Sequence, residues 1–374
     1  MSHAPHLSRV IASQHGLDPD STSAYIRRLE ILRATGSPAL LTLNHLALSA
    51  NVDWAELRGI VRRSSAPYRP IRIRKKSGGH RDLLSPNDEL LKVQRWVLDN
   101  ILVHSPRHPD SFAYFEKVTT RECAERHVGA TWMLKTDLHD FFPSVTERQV
   151  YRVFLELGYS PLLSFELARL CTWPNQRTSV ASLSPNDTRP YARTVEGVLP
   201  QGAPTSGALA NAVSRGLDRG LSRLALRHGL VYTRYSDDIT LSGSGSFSRK
   251  YAAALIPKVR AIVERSGFNL HQKKTRIIPP GARKLVLGIM VTESGLAIMP
   301  EQKRRVDLYI HSVAKYGPVE FAKHRKFESA LAMINHVEGW LAYLYHIDAA
   351  WTRTRSVKWF KALESHQVFS AALA

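Results

Sequence analysis

Residues 234–240 read Arg-Tyr-Ser-Asp-Asp-Ile-Thr, inside the longer stretch LVYTRYSDDITLSG at 230–243. Val231, Tyr232, Thr233, Ile239 and Thr240 favour extended backbone, and the Gly-Ser run that follows punctuates the end. The pattern predicts a strand, a tight turn carrying Ser236, Asp237 and Asp238, and a returning strand. Two carboxylates at a hairpin tip repel each other. Aspartate is a common turn residue and water tolerates the repulsion, so an isolated pair reads most simply as a surface turn. A divalent cation offers the other account, since hard cations take carboxylate oxygens. That account needs a third carboxylate elsewhere in the chain.

The chain has 374 residues, enough for two to three domains or subdomains, and its 44% hydrophobic content can bury a core. No apolar run approaches the roughly 18 residues of a membrane helix. The opening MSHAPHLSRVIASQHG lacks the apolar centre of a signal peptide. Cys123 and Cys171 form neither a disulfide framework nor a metal-ligand spacing. The expectation is a cytoplasmic protein with no membrane partner. The net charge is +20, with a pI near 10.1. A chain this basic is expected to meet a polyanion, nucleic acid before anionic lipid. Arg58, Arg62, Arg63, Arg69, Arg72, Arg74, Lys75, Lys76 and Arg81 follow one another with no acid between them. Such a block is a solvated face or a phosphate track.

Residues 1 to about 60 show apolar positions three and four apart and predict helices. YRPIRIRKKSGGHRDLLSP predicts a hairpin about Ser77-Gly78-Gly79. Ser85 as cap, Pro86 at the first helical position and Asp88 as capping-box partner predict a helix start, with Leu90, Val93, Val97 and Ile101 on one face. Trp132–Asp137 predicts a short strand that ends in an acid. A polar loop spans about 172–197. The Gly/Pro-rich segment from Val198 then leads into a helix of about 20 residues. After the aspartate hairpin come a further helix, the short strands KLVLGIMV and LAIMP, and a helical tail from about 301.

Asp137 is the third carboxylate, 100 residues before Asp237, with a Gln-Gly loop between them. Two-metal phosphoryl transfer needs carboxylates that bridge cations about 4 Å apart. One ion acidifies the attacking 3′-hydroxyl and the other neutralises triphosphate and pyrophosphate. Three aspartates on adjacent strands of one sheet meet that need, with Asp137 and Asp237 as the bridging pair. The expected cofactor is two Mg²⁺ ions, with Mn²⁺ as a substitute.

LKTDLHDFFPSV, LPQGAPTSGALAN and RYSDDIT resemble, in order and spacing, the three central palm motifs of reverse transcriptases. SGFNLHQKKTRI is similar to the next palm motif, with Lys274 as its lysine, and KLVLGIMV to the strand pair between palm and thumb. FFPSV, QGAPTSG and CAERH (Cys123–His127) resemble the bacterial retron enzymes most closely. The sequence departs from that pattern at Ser236 (usually Ala), Cys123 (Asn), Leu287 (Thr) and Gly207 (commonly Pro). The resemblance covers roughly residues 65–350. It implies an α+β right-hand polymerase fold. Residues 1–60 would be an N-terminal helical region and 61–130 fingers. Palm would occupy 131–280, with a fingers insertion around 150–197, and 281–374 would be the palm–thumb connection and thumb.

The resemblance also implies roles. Asp137, Asp237 and Asp238 would be catalytic and hold the metal. Phe142 would sit under the sugar and exclude a 2′-hydroxyl, unless it is an ordinary core Phe. Gln201 and Gly202 would line the incoming deoxynucleotide, glycine allowing close backbone approach. Arg81, with Arg74 or Lys75, would grip the triphosphate. Lys274 would protonate pyrophosphate or balance the acids. His127 would contact RNA or be a satisfied structural histidine. Two basic amphipathic helices and WTRTRSVKWFK suit a thumb that holds a duplex, with Arg304, Arg305, Arg353 and Arg355 among the phosphate contacts. A retron enzyme implies a cognate structured noncoding RNA as template and primer, a branched RNA–DNA product begun at a guanosine 2′-hydroxyl, and dNTP substrates. It also implies an anti-phage setting with a separate effector protein. Another bacterial reverse transcriptase, of group II intron or diversity-generating type, is the alternative enzyme. A non-catalytic RNA-binding scaffold is the alternative from another class, and the three retained aspartates argue against it.

Overall fold

A computed structural model describes residues 19–74, 78–174 and 196–366. Lys75, the first 18 residues and most of the polar loop (175–195) lie outside the described residues.

The amino-terminal part is helical, as expected, in three pieces: Pro19–Ala34, Leu43–Ala50 and Trp54–Val61. The basic hairpin forms from β1 (Tyr68–Arg74) and β2 (His80–Pro86), antiparallel from Tyr68↔Pro86 to Arg74↔His80. The next helix starts later than its sequence signal suggests. Ser85 and Pro86 are the last residues of β2, and Asn87 is the cap, its side chain accepting from the Leu90 N–H at 3.0 Å. Pairing with β1 outcompetes the local Ser-Pro signal. The helix Asp88–Asn100 buries Leu90, Val93 and Val97 as the spacing requires, and Ile101, its C-cap, is buried beside them.

The centre is an antiparallel sheet. β3 (Trp132–His139) runs two residues past Asp137. β4 (Trp173–Pro174) and β5 (Gly197–Val198) form a separate short pair. β6 (Val231–Tyr235) and β7 (Asp238–Gly243) form the aspartate hairpin, and β7 lies against β3. β8 (Asn269–Leu270) and β9 (Arg276–Ile278) pair with the other edge of β3. Side chains alternate across a strand. Trp132, Leu134 and Leu138 therefore enter one core with Ile239, Leu241 and the helices Arg215–Arg227 and Arg249–Arg265. Met133, Lys135 and Asp137 face the opposite side. The helix expected after the Gly/Pro-rich segment is two helices, Ser206–Val213 and Arg215–Arg227, parted at the buried Ser214.

KLVLGIMV folds as a hairpin of β10 (Lys284–Val286) and β11 (Ile289–Val291), with β12 (Leu296–Ala297) adding a third strand. Leu287 and Gly288 turn with φ of 51° and 81°, the two positive angles of a type I′ turn. Helices Pro300–Tyr316, Pro318–His324, Ala330–Tyr345 and Ala349–Glu364 build a second core around Val313, Met333, Val337 and Trp359. Met133 of the sheet belongs to that second core, so the polar face of the sheet looks toward this helical part.

Candidate active site

The aspartates are placed by register. Asp137 stands directly opposite Asp238, and Tyr235 pairs with Asp238 across the hairpin, leaving Ser236 and Asp237 as a two-residue turn. Ser236 takes φ 58°, the left-handed first position that matches such a turn to strand twist. The Leu138 N–H donates to Asp237 O at 2.9 Å and the His271 N–H to Asp137 O at 2.7 Å. Asp137 and Asp238 are thus neighbours across the strands, with Asp237 next to them on the turn.

Their electrostatics are unbalanced. Burial, and then the Asp137 charge, push the Asp237 carboxyl above the usual range. Asp238 is also raised, by burial with Asp237 and Asp137 adding, against Lys135. Lys135 is itself lowered by burial and donates to Leu285 O at 3.0 Å. Lys274 donates to Asp137 Oδ2 at 2.8 Å, which raises the lysine's own pKa. Among the described residues no group of three His, Cys, Asp or Glu side chains is so arranged that it could hold a metal ion as it stands. An open set of carboxylates suits a hard cation that keeps waters and shares substrate phosphates, so the donor chemistry fits a divalent cation.

The other expected nucleotide contacts lie around this centre. Phe142 is half-buried, 5.5 Å from Phe141 and 6.0 Å from Tyr114 between ring centroids. Gln201 and Gly202 lie under the basic hairpin, the Leu84 N–H donating to Gln201 O at 2.7 Å. Gly202 has φ 119°, and a Cβ there would meet Leu84 O at 3.0 Å, so a side chain would be both strained and obstructed. Arg74 closes β1 opposite His80 and is exposed, and Arg81 pairs with Ile73 in β2. Between the hairpin, the His139–Ser144 turn and the 198–201 loop opens a cleft of about 1000 Å³, lined by Arg72, Asp82, Leu84, Asp140, Pro143 and Gln201 among others. It opens beside the aspartates rather than on them, and its volume is at the upper end for a small-molecule site.

His127 is corrected. It is 1% exposed, and its two ring nitrogens lie 2.7 Å from Ser242 Oγ and 2.7 Å from Thr233 Oγ1. Burial, with Lys135 and Arg126 nearby, pushes its pKa down to about 3. A neutral histidine sealed against the sheet cannot reach RNA. Trp359 is wholly buried, as a core residue. The arginines of the last helices are held by aromatics. Arg305 lies 5.5 Å from the Tyr309 ring and 5.3 Å from that of Trp340, Arg353 lies 5.6 Å from Tyr345, and Arg355 lies 4.5 Å from Trp351. Arg304 is exposed, 3.7 Å from Glu301.

Two features escape sequence reasoning. Arg234 and Asp218 are fully buried. The guanidinium donates to both Asp218 oxygens at 2.7 Å and to Asn211 Oδ1, Ser111 Oγ and Ser236 O at 3.0 Å. The last bond reaches the aspartate turn itself. A charge at an inward position of a strand is the signal that could have exposed it. Tyr114, whose hydroxyl is 2.7 Å from Ser236 Oγ, has no such signal.

A sequence profile of the family Reverse transcriptase (RNA-dependent DNA polymerase) matches residues 73–303. The chain is similar to the Retron Ec86 reverse transcriptase of Escherichia coli, 30% identical over 335 residues, 89% of this chain and 92% of that one. It is 31% identical over 372 residues to the Retron Mx162 reverse transcriptase of Myxococcus xanthus, covering 93% and 73%. Among solved structures, telomerase from Candida albicans aligns over 81% of this chain and 62% of its own, with TM-score 0.43 and 10% identity. The family is one of divalent-metal-dependent polymerases. With its profile match over more than half its length and such identity to two retron enzymes, this chain belongs to the retron-type reverse transcriptases and is an RNA-directed DNA polymerase of mixed α and β right-hand fold.

Proposed function

We propose that this enzyme copies a cognate structured noncoding RNA, which serves as both template and primer, into a branched RNA-linked single-stranded DNA. The observation that carries the reading is the register setting Asp137 against Asp238, with Asp237 on the adjoining turn. In this reading the three aspartates are catalytic and hold two magnesium ions, or manganese in their place. Bound there, the ions would acidify the attacking hydroxyl and offset the charge of triphosphate and pyrophosphate. Asp137 and Asp237 are the bridging pair. Lys274 balances Asp137 while the site is empty of substrate and stands ready to give a proton to pyrophosphate.

Phe142 lies under the sugar and excludes a 2′-hydroxyl. Gln201 and Gly202 line the nucleotide, and Arg74, Lys75 and Arg81 hold its phosphates by charge-assisted bonds. Arg304, Arg305, Arg353 and Arg355 carry the template–primer backbone. In this reading residues 1–60 would be an N-terminal helical region, 61–130 fingers, 131–280 palm with a fingers insertion around 150–197, and 281–374 the connection and thumb. The setting is cytoplasmic and anti-phage, with a separate effector protein on the RNA–DNA product, by likeness to the retron family. No described helix is long and apolar enough to cross a membrane.

The test is to extract nucleic acid from the purified native complex and run it on a denaturing gel, with and without RNase, beside Asp237→Asn. A DNA band that shortens with RNase and vanishes in the variant is expected. RNA alone in both preparations would instead support a scaffold.

A further inference from the structure

Tyr114 is held in place from several sides. Its backbone is left-handed, φ 63°, a conformation that bulky residues rarely adopt and that is kept where surroundings enforce it. Here they do. Asn211 Nδ2 donates to Ala113 O at 2.6 Å, and the Phe112 N–H donates to Arg234 O at 2.9 Å, fastening the segment to the helix Ser206–Val213 and to β6. The ring lies against Gly207, where a Cβ would come within 2.5 Å of Tyr114 Cγ. The ring also lies beside Phe142, 6.0 Å between centroids with a 58° tilt. Its hydroxyl shares a hydrogen bond of 2.7 Å with Ser236 Oγ, one residue before Asp237. Yet the residue remains 48% exposed. A side chain held for core packing alone would be covered.

We infer that Tyr114 is a positioning residue for sugar selection: latched to Ser236, it stiffens Phe142 against a ribonucleotide. This rests on the reading of Phe142 as the wall beneath the sugar. A steric wall discriminates only as far as it refuses to yield. A phenyl ring that can retreat by an ångström or so admits the extra hydroxyl at little cost. The Tyr114 ring, packed beside Phe142, limits the room that Phe142 has to yield, and the bond to Ser236 holds the Tyr114 ring in place. The latch also ties the wall to the turn that carries Asp237, so sugar fit and carboxylate placement are set by one rigid contact.

The experiment measures the ratio of kcat/KM for a deoxynucleotide to that for the matching ribonucleotide, on the full enzyme with its RNA. Variants are Tyr114→Phe, Ser236→Ala, their double, Gly207→Ala and Phe142→Ala. Two substrates are compared on one preparation, so any loss of folded enzyme cancels. Losing one hydrogen bond is expected to lower the ratio about 2- to 10-fold in each single variant. The double variant is expected to match the weaker single, since both remove the same bond. Gly207→Ala, which displaces the ring, is expected to lower the ratio too. An unchanged ratio in Tyr114→Phe, or a double variant equal to the product of the singles, overturns the inference. If Phe142→Ala relaxes selection and Tyr114→Phe does not, the wall stands and the latch alone falls. If Phe142→Ala leaves selection intact, the wall reading fails and takes this route with it.

Discussion

Arg234→Met removes a cation that has all five of its N–H donors engaged in a fully buried site. It strands the Asp218 carboxylate, whose remaining described donor is the Tyr232 hydroxyl at 2.7 Å. Breaking a buried pair by removing one partner costs about 3–5 kcal/mol, because an uncompensated charge stays inside. Replacing both partners by apolar residues of similar volume is far cheaper. Arg234→Met is therefore expected to lose about 3–5 kcal/mol in urea unfolding, and Arg234→Met/Asp218→Leu to regain at least half of that. Activity should not follow stability. The double variant still lacks the donor to Ser236 O, so DNA synthesis is expected to stay at least about tenfold down, a loss of about 1.4 kcal/mol in transition-state stabilisation. A single variant that loses under about 1 kcal/mol would refute the desolvated pair. Full synthesis by the double variant would refute the link from Arg234 to the aspartate turn.

Asp237→Asn addresses the charge of that turn. Its native pKa is raised, so its favourable contribution is complete below the unfolded pKa and is lost as pH rises through the native one. In metal-free buffer the carboxylate is expected to cost stability at neutral pH, and the variant to be the more stable protein, by a margin that grows from acid to neutral pH. A parent protein that gains on the variant as pH rises would reverse the sign. Arg304→Ala is expected to weaken RNA binding about equally across sequences and to reduce the slope of log K against log salt by about 1. An unchanged slope in a filter-binding titration would remove Arg304 from the backbone contacts. His127→Ala is expected to cost about 1–3 kcal/mol by unpairing the buried hydroxyls of Ser242 and Thr233, while RNA affinity measured on folded protein stays at the parent value. A selective fall in affinity would restore His127 to the interface.

What the sequence made legible is local or periodic. Alternation and turn chemistry identify β6, β7 and the hairpin of β1 and β2, and the spacing of apolar residues identifies the helix Asp88–Asn100. The three aspartates are legible because like charges in a strand context need a reason. Where long-range pairing competes with a local signal, the local signal loses. Ser85-Pro86 reads as a helix start but pairs with Tyr68 and Arg69. His127 reads equally as RNA contact or structural histidine, and only the sheet placed around it decides.

The parts of the site that could not be read are those whose partners are distant in the chain. Ser236 and Gly207 stand out in the sequence as departures from the family's motifs, each without evident consequence. Folding brings both to one side chain. Tyr114, 122 residues before Ser236, bonds the hydroxyl that Ser236 adds and fills the space that Gly207 leaves. Neither position explains the other without Tyr114, and Tyr114 carries no motif of its own. The three aspartates proposed as catalytic also meet over a long range, Asp137 against Asp238, but each stands in a stretch with a signal of its own. The stiffness that the chemistry needs is built from contacts that span a third of the chain, Arg234 beneath the turn and Tyr114 beside it. A variant that keeps every motif but changes Tyr114 should therefore look intact by sequence and copy RNA with poorer choice of sugar.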